Sequence, residues 1–341
     1  NTEEQAFSSI EYIMRDVDYG WMIRYMHTTG ASLFFAVVYL HMFRGLLYGS
    51  YQKPKELVWI FGCTIYLAMM AEGFLGYVLP YGQMSYWGAQ VIISLFGAIP
   101  YIGESLELWV RGDYYISGIT VSRFFALHVV ALPLVLIALV FLHLVALHEV
   151  GAGNPEGVDI EEHLDEDGVP LDSVPFYPYK VLNALVAIGV FMTVFSIIMF
   201  FFPEGGGYFI EMANFQEANP LVTPDHIAPV WYYAPFYTML RAIPDPLGGL
   251  IVMASAVAIF FIVPWLDRSK VASIRYKGIY SKIAITMFGV SFLTLGYLGT
   301  VGVTEVRKTM SVVCTIIYFA YFLLMPIYTK YETTKEVPER L

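Results

Sequence analysis

The chain has 341 residues, of which 57% are hydrophobic, 17% aromatic and 14% charged. Soluble globular domains carry about 25% charged residues, so this composition excludes an ordinary water-soluble enzyme. The formal net charge is -10 and no basic stripe is present, which excludes a nucleic-acid-binding protein because phosphates would not be neutralised. Both cysteines lie inside apolar segments and no CxxCH motif occurs, so the chain lacks a disulfide framework and would bind any haem non-covalently.

Seven apolar blocks are long enough to cross a bilayer as helices, since a span needs about 20 residues at a rise of about 1.5 Å each. The predicted spans, in chain order, are 21–48, 57–80, 121–147, 180–203, 246–266, 280–302 and 310–329. The connections too long to be turns are 81–120, 149–179 and 204–245. We therefore predict an all-α, polytopic transmembrane helix bundle.

Lysine and arginine are concentrated after the first, fifth and seventh blocks, at Lys53, Lys55, Arg268, Lys270, Arg275, Lys277 and Lys330. By the positive-inside rule these gaps face the cytoplasm or matrix, and the connections 81–120, 204–245 and 303–309 face outward. The inner loop 149–179 contains the acidic run 159–167, but acidic residues count little in the rule. We interpret this run as a solvated excursion, with partner docking as the alternative.

The block interiors contain almost no ionisable groups apart from one arginine, Glu72 and four histidines, and such groups inside a membrane are functional candidates. His27 and His41 are 14 residues apart in the first block, and His128 and His143 are 15 apart in the third. Each of these spacings brings its two histidines to broadly the same face of one helix.

The first and third blocks run in the same direction because one span separates them. This predicts two bis-imidazole sites, His27 with His128 near the outer side and His41 with His143 near the inner side. Imidazole is a haem iron ligand, and two axial histidines leave no open position for oxygen. The pattern therefore predicts two stacked haems that carry electrons across the membrane. The alternative for any single histidine is a hydrogen bond to a neighbouring helix.

Two features accompany the histidines. Arg24 and Arg44 each lie three residues from a histidine, toward the nearer surface, where haem propionates are expected. Gly62 and Gly76 in the intervening block repeat the 14-residue spacing, and glycine lets a flat macrocycle approach the backbone. Glycine is common in membrane helices, so the glycine pair alone is weak support.

Two outer segments are rich in aromatic residues, 76–89 and 224–237, and the first is followed by a predicted interfacial helix over 91–100. Aromatic belts at a membrane interface are common. Both segments nevertheless lie on the side of the predicted outer histidine site, where they could line an apolar pocket for a lipid-soluble redox partner.

At these residues the sequence closely resembles cytochrome b of the respiratory cytochrome bc complex, the quinol:cytochrome c oxidoreductase. The resemblance covers nearly the whole chain, through the segments Tyr19–Trp21, Arg24–His27, Gly76–Ala89, Arg123–His128, Gly153–Pro155, Ala218–Leu221 and Pro229–Tyr232. The family has eight membrane helices, and we expect this chain to begin after the first. The resemblance implies a di-haem four-helix bundle over 1–203 with its first helix absent, an outer loop over 204–245 and a three-helix region over 246–341.

The resemblance also implies an electron path. Quinol, ubiquinol here, is oxidised in an outer pocket, and one electron goes to a Rieske iron–sulfur protein and then to cytochrome c. The other passes through a low-potential haem b at His27 and His128 and a high-potential haem b at His41 and His143 to an inner quinone site. Proton release outside and uptake inside couple this path to proton translocation. The implied site residues besides the haem ligands are Pro229, Trp231, Tyr232 and Tyr237 for the outer pocket, Arg24, Arg44, Arg123, Gly62 and Gly76 for the haems, and His148 for the inner quinone.

The outer-pocket motif departs from the family's Pro-Glu-Trp-Tyr, because Val230 stands where the carboxylate is expected. One hypothesis is that Glu72, one turn before Gly76, replaces it, since a carboxyl group shielded from water is suited to take up a proton. The alternative is that Glu72 pairs with a neighbouring helix.

The inner pocket departs as well, because the family's aspartate near the start of the next helix is not evident; Lys180 or Asn183 are the candidates. The 15-residue spacing in the third block resembles bacterial rather than mitochondrial members and predicts a bacterial inner membrane. We also expect a Rieske protein and a cytochrome c-type subunit as partners in a dimeric complex. The rival functions are a di-haem membrane anchor of another quinone oxidoreductase and, from another class, a proton-coupled transporter.

Overall fold

The structure, a computed structural model, describes residues 2–341. Its α-helices are α1 (Glu3–Arg15), α2 (Gly20–Tyr48), α3 (Glu56–Val78), α4 (Gln83–Ser94), α5 (Gly103–Arg111), α6 (Gly118–Ala126), α7 (Leu132–Val150), α8 (Val181–Phe201), α9 (Ala234–Ala242), α10 (Pro246–Ala258), α11 (Val263–Leu266), α12 (Ile279–Gly299), α13 (Glu305–Leu323) and α14 (Met325–Tyr331). Within these residues the β-structure is limited to isolated bridges. The predicted all-α class is confirmed.

Within the described residues, seven helical segments are long and apolar enough to cross a membrane: Gly20–Tyr48, Glu56–Val78, Gly118–Val150, Phe176–Phe201, Pro246–Leu266, Ile279–Thr300 and Glu305–Leu323. The predicted number of spans is confirmed, and the last one differs most in its bounds. It begins at Glu305 because the Thr304 hydroxyl accepts a hydrogen bond from the Arg307 N–H (3.3 Å) and caps the helix. It ends before Pro326, which opens α14.

The third span is not a uniform α-helix. A π-helical turn over Leu127–Ala131 joins α6 to α7, and Pro133 follows it. Proline has no N–H to donate to the preceding turn and its ring crowds the carbonyl four residues back, so the backbone widens locally. Because His128 lies in this turn, the proline sets the local backbone of one predicted haem ligand.

The first long outer connection is more ordered than predicted. Its helix α4 starts at Gln83, eight residues before the predicted interfacial helix over 91–100, and that segment instead contains the end of α4 and a short 3-10 turn. The helix buries Tyr86, Ala89 and Ile93, which pack in a small apolar cluster at this end of the bundle. Aromatic residues in this connection therefore pack in a small apolar core at this end of the bundle.

The connections group at two ends of the bundle. At one end the Ser273 hydroxyl donates to the Pro155 carbonyl (2.6 Å), and at the other the Ser85 N–H donates to the Asn214 side chain (2.8 Å). The first end holds the connections 49–55, 151–179 and 267–278, and the second holds 79–117 and 202–245. This is the grouping that the lysine and arginine distribution predicted, and the two are called the inner and outer ends below.

One continuous apolar core joins the early and late spans. Phe35 of α2 stacks on Tyr232 with ring centroids 3.9 Å apart, and the indole N–H of Trp59 in α3 donates to the Phe260 carbonyl (2.7 Å). The predicted regions 1–203 and 246–341 therefore share a core. Helix α8 packs mainly on α2 and leaves most of its apolar side chains exposed, as expected for a surface that faces lipid or a partner.

A buried ion pair closes the inner end. The Lys277 ammonium lies 2.5 Å from the Asp267 carboxylate, which also accepts hydrogen bonds from Tyr51 (2.7 Å) and Gln52 (2.9 Å). The Asp267 side chain is 0% exposed. Burial raises the pKa of Asp267, but Lys277 and the hydrogen bonds outweigh it and hold that pKa below its ordinary value.

We expect Asp267→Asn to lower the free energy of unfolding by about 3 kcal/mol, because it leaves the Lys277 charge buried and unpaired. Since the folded-state pKa is depressed, the pair stabilises the protein above the unfolded pKa of about 4, and this contribution is lost as pH falls through the folded pKa. Thermal unfolding in detergent at pH 7 and pH 3 measures both effects. Glu11→Gln, which breaks an exposed pair with Arg15, should change stability by less than about 0.5 kcal/mol; an equal loss in both variants would contradict the assignment.

Candidate functional site

Four histidines form two pairs between α2 and the third span. The rings of His27 and His128 have centroids 6.1 Å apart and planes at 82° to each other. Those of His41 and His143 have centroids 6.4 Å apart and planes at 77°. Fourteen residues of α2 separate the two pairs, which corresponds to about 21 Å along the helix axis. The structure thus brings together the same pairs that the spacing predicted, one toward each end of the bundle.

The separation of the rings fits a metal ion between the members of each pair. A metal–imidazole bond of about 2 Å, with the ring centre about 1.1 Å further, puts the centroids of two axial imidazoles about 6.2 Å apart. Within residues 2–341, no cluster of three or more His, Cys, Asp or Glu side chains could hold a bare metal ion. Two imidazoles alone therefore need a cofactor that supplies the other ligands, as the haem macrocycle does. The residues present fit haem.

Both predicted glycines lie on α3 against these histidines. A Cβ on Gly76 would lie 2.3 Å from Cε1 of His128, a distance that real Cβ atoms essentially never show, whereas one on Gly62 would lie 3.4 Å from Cε1 of His143. The sequence led us to expect room for a macrocycle at these positions. In the structure, the imidazole of the third span occupies the space that each glycine leaves, and the outer position is much the tighter.

The predicted arginines differ in their surroundings. Arg24 is half-buried one turn from His27, and Arg44 is exposed one turn from His41. The Arg123 guanidinium donates to the Trp109 carbonyl (3.0 Å) and so ties the third span to the outer connection. The roles of these arginines beside a cofactor stay predictions.

Two adjoining cavities lie among the spans, and both reach the outer end. The larger, about 1020 Å³, is apolar and is lined by side chains of α2, α9 and α12, among them Tyr39 and Phe292. The smaller, about 260 Å³, has Tyr77, Glu211 and His226 on its wall. Their shared lining residues are Tyr208, Phe209, Trp231 and Thr300. An apolar chamber that continues into a small pocket with ionisable groups suits a molecule with a long apolar tail and a polar head.

The predicted pocket residues are divided between this site and the core. Pro229 and Val230 line the smaller cavity, and Trp231 lines both. Tyr232 is buried under Phe35 and lines neither, among the residues described. The Tyr237 hydroxyl donates to the Ile227 carbonyl (3.1 Å), beside His226, and so fixes the backbone of the cavity wall.

Glu72 lines neither cavity, as far as the described residues 2–341 define their walls. Its Oε1 is 3.0 Å from Nδ1 of His128, on the third span. The structure therefore favours pairing with a neighbouring helix, and the hypothesis that Glu72 accepts a proton in the outer pocket lacks the placement that it needs.

Sequence reasoning missed Glu211 and His226. Both lie in the long outer connection, where ionisable residues are expected to be solvated, so they did not stand out against the apolar background as Glu72 did. The only signal was that His226 lies three residues before Pro229.

The predicted inner quinone residues are exposed. His148 lies in the last turn of α7, Lys180 in a π-helical turn before α8, and Asn183 in the first turn of α8. No hydrogen bond or ion pair joins these side chains to one another within the part of the chain described. An inner quinone site stays a prediction.

A helical bundle with seven segments long and apolar enough to span a membrane and two pairs of facing histidines defines the class: a multi-pass membrane protein whose histidine pairs fit haem. The family model described as "Cytochrome b/b6/petB" matches residues 1–151, and "Cytochrome b(C-terminal)/b6/petD" matches residues 217–319. The chain belongs to the cytochrome b family, and this membership implies that it binds haem b.

Similar proteins are found in bacteria. Cytochrome b of Allochromatium vinosum is 56% identical over an alignment of 344 positions, which covers 98% of this chain and 83% of that protein. Cytochrome b of Rickettsia bellii is 48% identical over 339 residues, which cover 99% of this chain and 82% of that protein. A solved structure described as "Hyperthermophilic respiratory Complex III" superimposes with a TM-score of 0.90 at 35% identity and covers 97% of this chain and 85% of that one.

Proposed function

We propose that the chain is the membrane electron-transfer subunit of a quinol:cytochrome c oxidoreductase, respiratory complex III. The observation that carries this proposal is the pair of histidine sites, each spaced to bridge one iron, one toward the outer and one toward the inner end of the same helices. The similarity to cytochrome b proteins and to a complex III structure supports it.

His27 and His128 would hold one haem b group at the outer pair, and His41 and His143 would hold a second at the inner pair. When bound, haem b would supply reversible one-electron transfer. The π-helical turn fixes the backbone at His128, and the close approach of Gly76 confines its ring.

The outer cavities are the proposed quinol site. The apolar chamber admits the tail of ubiquinol from the bilayer, and the smaller cavity beside Pro229 and Trp231 takes the head group. Since Val230 cannot accept a proton, Glu211 and His226 on the same wall take that role.

The proposed partners follow from the chemistry. Quinol releases two electrons, and the residues that the structure describes provide one path, through the two histidine pairs. The other electron needs an acceptor at the outer end, which we assign to a Rieske iron–sulfur protein and then a cytochrome c-type subunit in a dimeric complex. The bacterial relatives favour a bacterial inner membrane, and His148 is the retained candidate for the inner quinone site.

The experiment that tests this function compares the chain alone with the complete complex. We expect the purified chain to show a b-type haem spectrum and to be reduced by dithionite, yet to leave cytochrome c oxidised when quinol is added. Co-expression with the Rieske and cytochrome c-type subunits should restore cytochrome c reduction. Steady reduction of cytochrome c by the chain alone, or no b-type spectrum, would contradict the assignment.

A further inference from the structure

Glu72 contacts a predicted haem ligand through two of its oxygen atoms. Nδ1 of His128 lies 3.0 Å from the Glu72 carboxylate oxygen Oε1 and 2.9 Å from the Glu72 backbone carbonyl. The backbone carbonyl can only accept, so Nδ1 carries the proton and donates to it, and Nε2 keeps the free lone pair. The contact therefore selects the tautomer of His128 that can bind iron through Nε2.

The carboxylate has little else to interact with. Its other oxygen, Oε2, is buried without a hydrogen-bond partner, and the side chains of Glu72 and His128 are only 20% and 15% exposed. A charge in so sheltered a position acts strongly on the group nearest to it, because water screens it poorly. That group is the imidazole of His128.

The inner histidine pair provides an internal comparison, because α3 repeats the same arrangement 14 residues earlier. Gly62 faces His143 as Gly76 faces His128, and the position that corresponds to Glu72 is Val58. Nδ1 of His143 is buried and faces the Val58 backbone carbonyl. One histidine thus has a carboxylate behind it and its counterpart has a valine.

We propose that Glu72 is a positioning residue that makes the outer haem harder to reduce than the inner one. This inference rests on the proposed function, since it assumes haem at both histidine pairs. A carboxylate that accepts a hydrogen bond from a metal-bound histidine makes that histidine a stronger electron donor. Stronger donation stabilises the oxidised iron, which carries the higher charge, and so lowers the reduction potential.

The direction of this effect serves the electron path. If the haem at His27 and His128 has a lower reduction potential than the haem at His41 and His143, electron transfer from the outer to the inner haem is energetically favourable. The two histidines of α2 lie about 21 Å apart along the helix axis. Glu72 contributes to this difference in potential at the outer site alone, because Val58 occupies the equivalent position beside the inner pair.

The test is a reductive titration of both haems, followed by their absorbance, in the complete complex. In Glu72→Gln, which keeps an acceptor and removes the charge, we expect the potential of the outer haem to rise and that of the inner haem to stay unchanged. Glu72→Val makes position 72 identical to Val58 and should also raise the potential of the outer haem. Glu305→Gln removes one charge at the outer end of α13 and should leave the potentials of both haems unchanged.

Electron paramagnetic resonance of the oxidised complex gives a second readout, since the signal of the outer haem should change in both Glu72 variants while that of the inner haem stays constant. Unchanged potentials and signals with two haems bound would overturn the role of Glu72 and leave the proposed function intact. Equal shifts at both haems would overturn it too. A wild-type complex without two b-type haems would instead contradict the proposed function.

Discussion

We expect Gly76→Ala to remove the outer haem while the inner haem stays bound. A Cβ at this position would lie 2.3 Å from the His128 ring, with three ring atoms within 2.8 Å. The methyl group can therefore be accommodated only if the His128 ring is displaced. The measurement is the ratio of haem to chain by pyridine haemochrome, which should fall from two to one. Quinol-dependent reduction of cytochrome c should fall to background, because the outer pair is the proposed first acceptor of the transmembrane path.

Gly62→Ala is the matched control on the same helix. Its Cβ would lie 3.4 Å from the His143 ring, which is a tight but tolerable contact. This variant should keep both haems and most of the activity. Two haems in Gly76→Ala, or equal losses in the two variants, would show that the outer ring is not confined as the structure indicates.

The second large effect is expected from Glu211→Gln. A group that accepts a proton in the rate-limiting step typically contributes a factor of about 10² or more, so the variant should lose about 100-fold of its quinol oxidation rate. The two haems should remain bound with unchanged potentials, because Glu211 lies on the wall of the smaller outer cavity and contacts neither histidine pair. Stopped-flow reduction of the haems by quinol measures the rate.

Glu204→Gln provides the comparison, since Glu204 lies in the same connection but its side chain meets Tyr25 (3.4 Å) rather than the cavity. This variant should retain its rate. Normal quinol oxidation in Glu211→Gln and in the double variant with His226→Gln would exclude this cavity as the site of proton uptake.

The sequence predicted the spans and the histidine pairs well because both follow from strong local rules. Apolar length sets the spans, and the helical period sets which histidines can meet, as for His27 and His128 at 6.1 Å. Helix α4 was placed eight residues too late because its apolar residues were interpreted as an aromatic belt. Its burial depends on packing against the other outer connection, which no local pattern indicates.

The outer site could be predicted only in part. Pro229 and Trp231 were identified from a motif and do line the cavities, but Tyr232 turns into the core to stack on Phe35. Glu211 lies on the cavity wall because of the path that an irregular loop takes. The sequence does not specify this path.

Glu72 shows the same limit in another way. Its depth in the membrane was evident from the sequence, and two partners were open to it: the outer pocket or a neighbouring helix. The direction of its side chain decides between them, and this depends on how α3 is rotated against the third span. The structure resolves this rotation through the contact with His128.

Electron transfer across the membrane by this chain depends on two haems held in series. A potentiometric titration of the purified wild-type protein, combined with haem quantification, determines whether both are present. We expect two b-type haems for each chain, which are reduced at two separate potentials. A single haem, or none, would contradict this expectation.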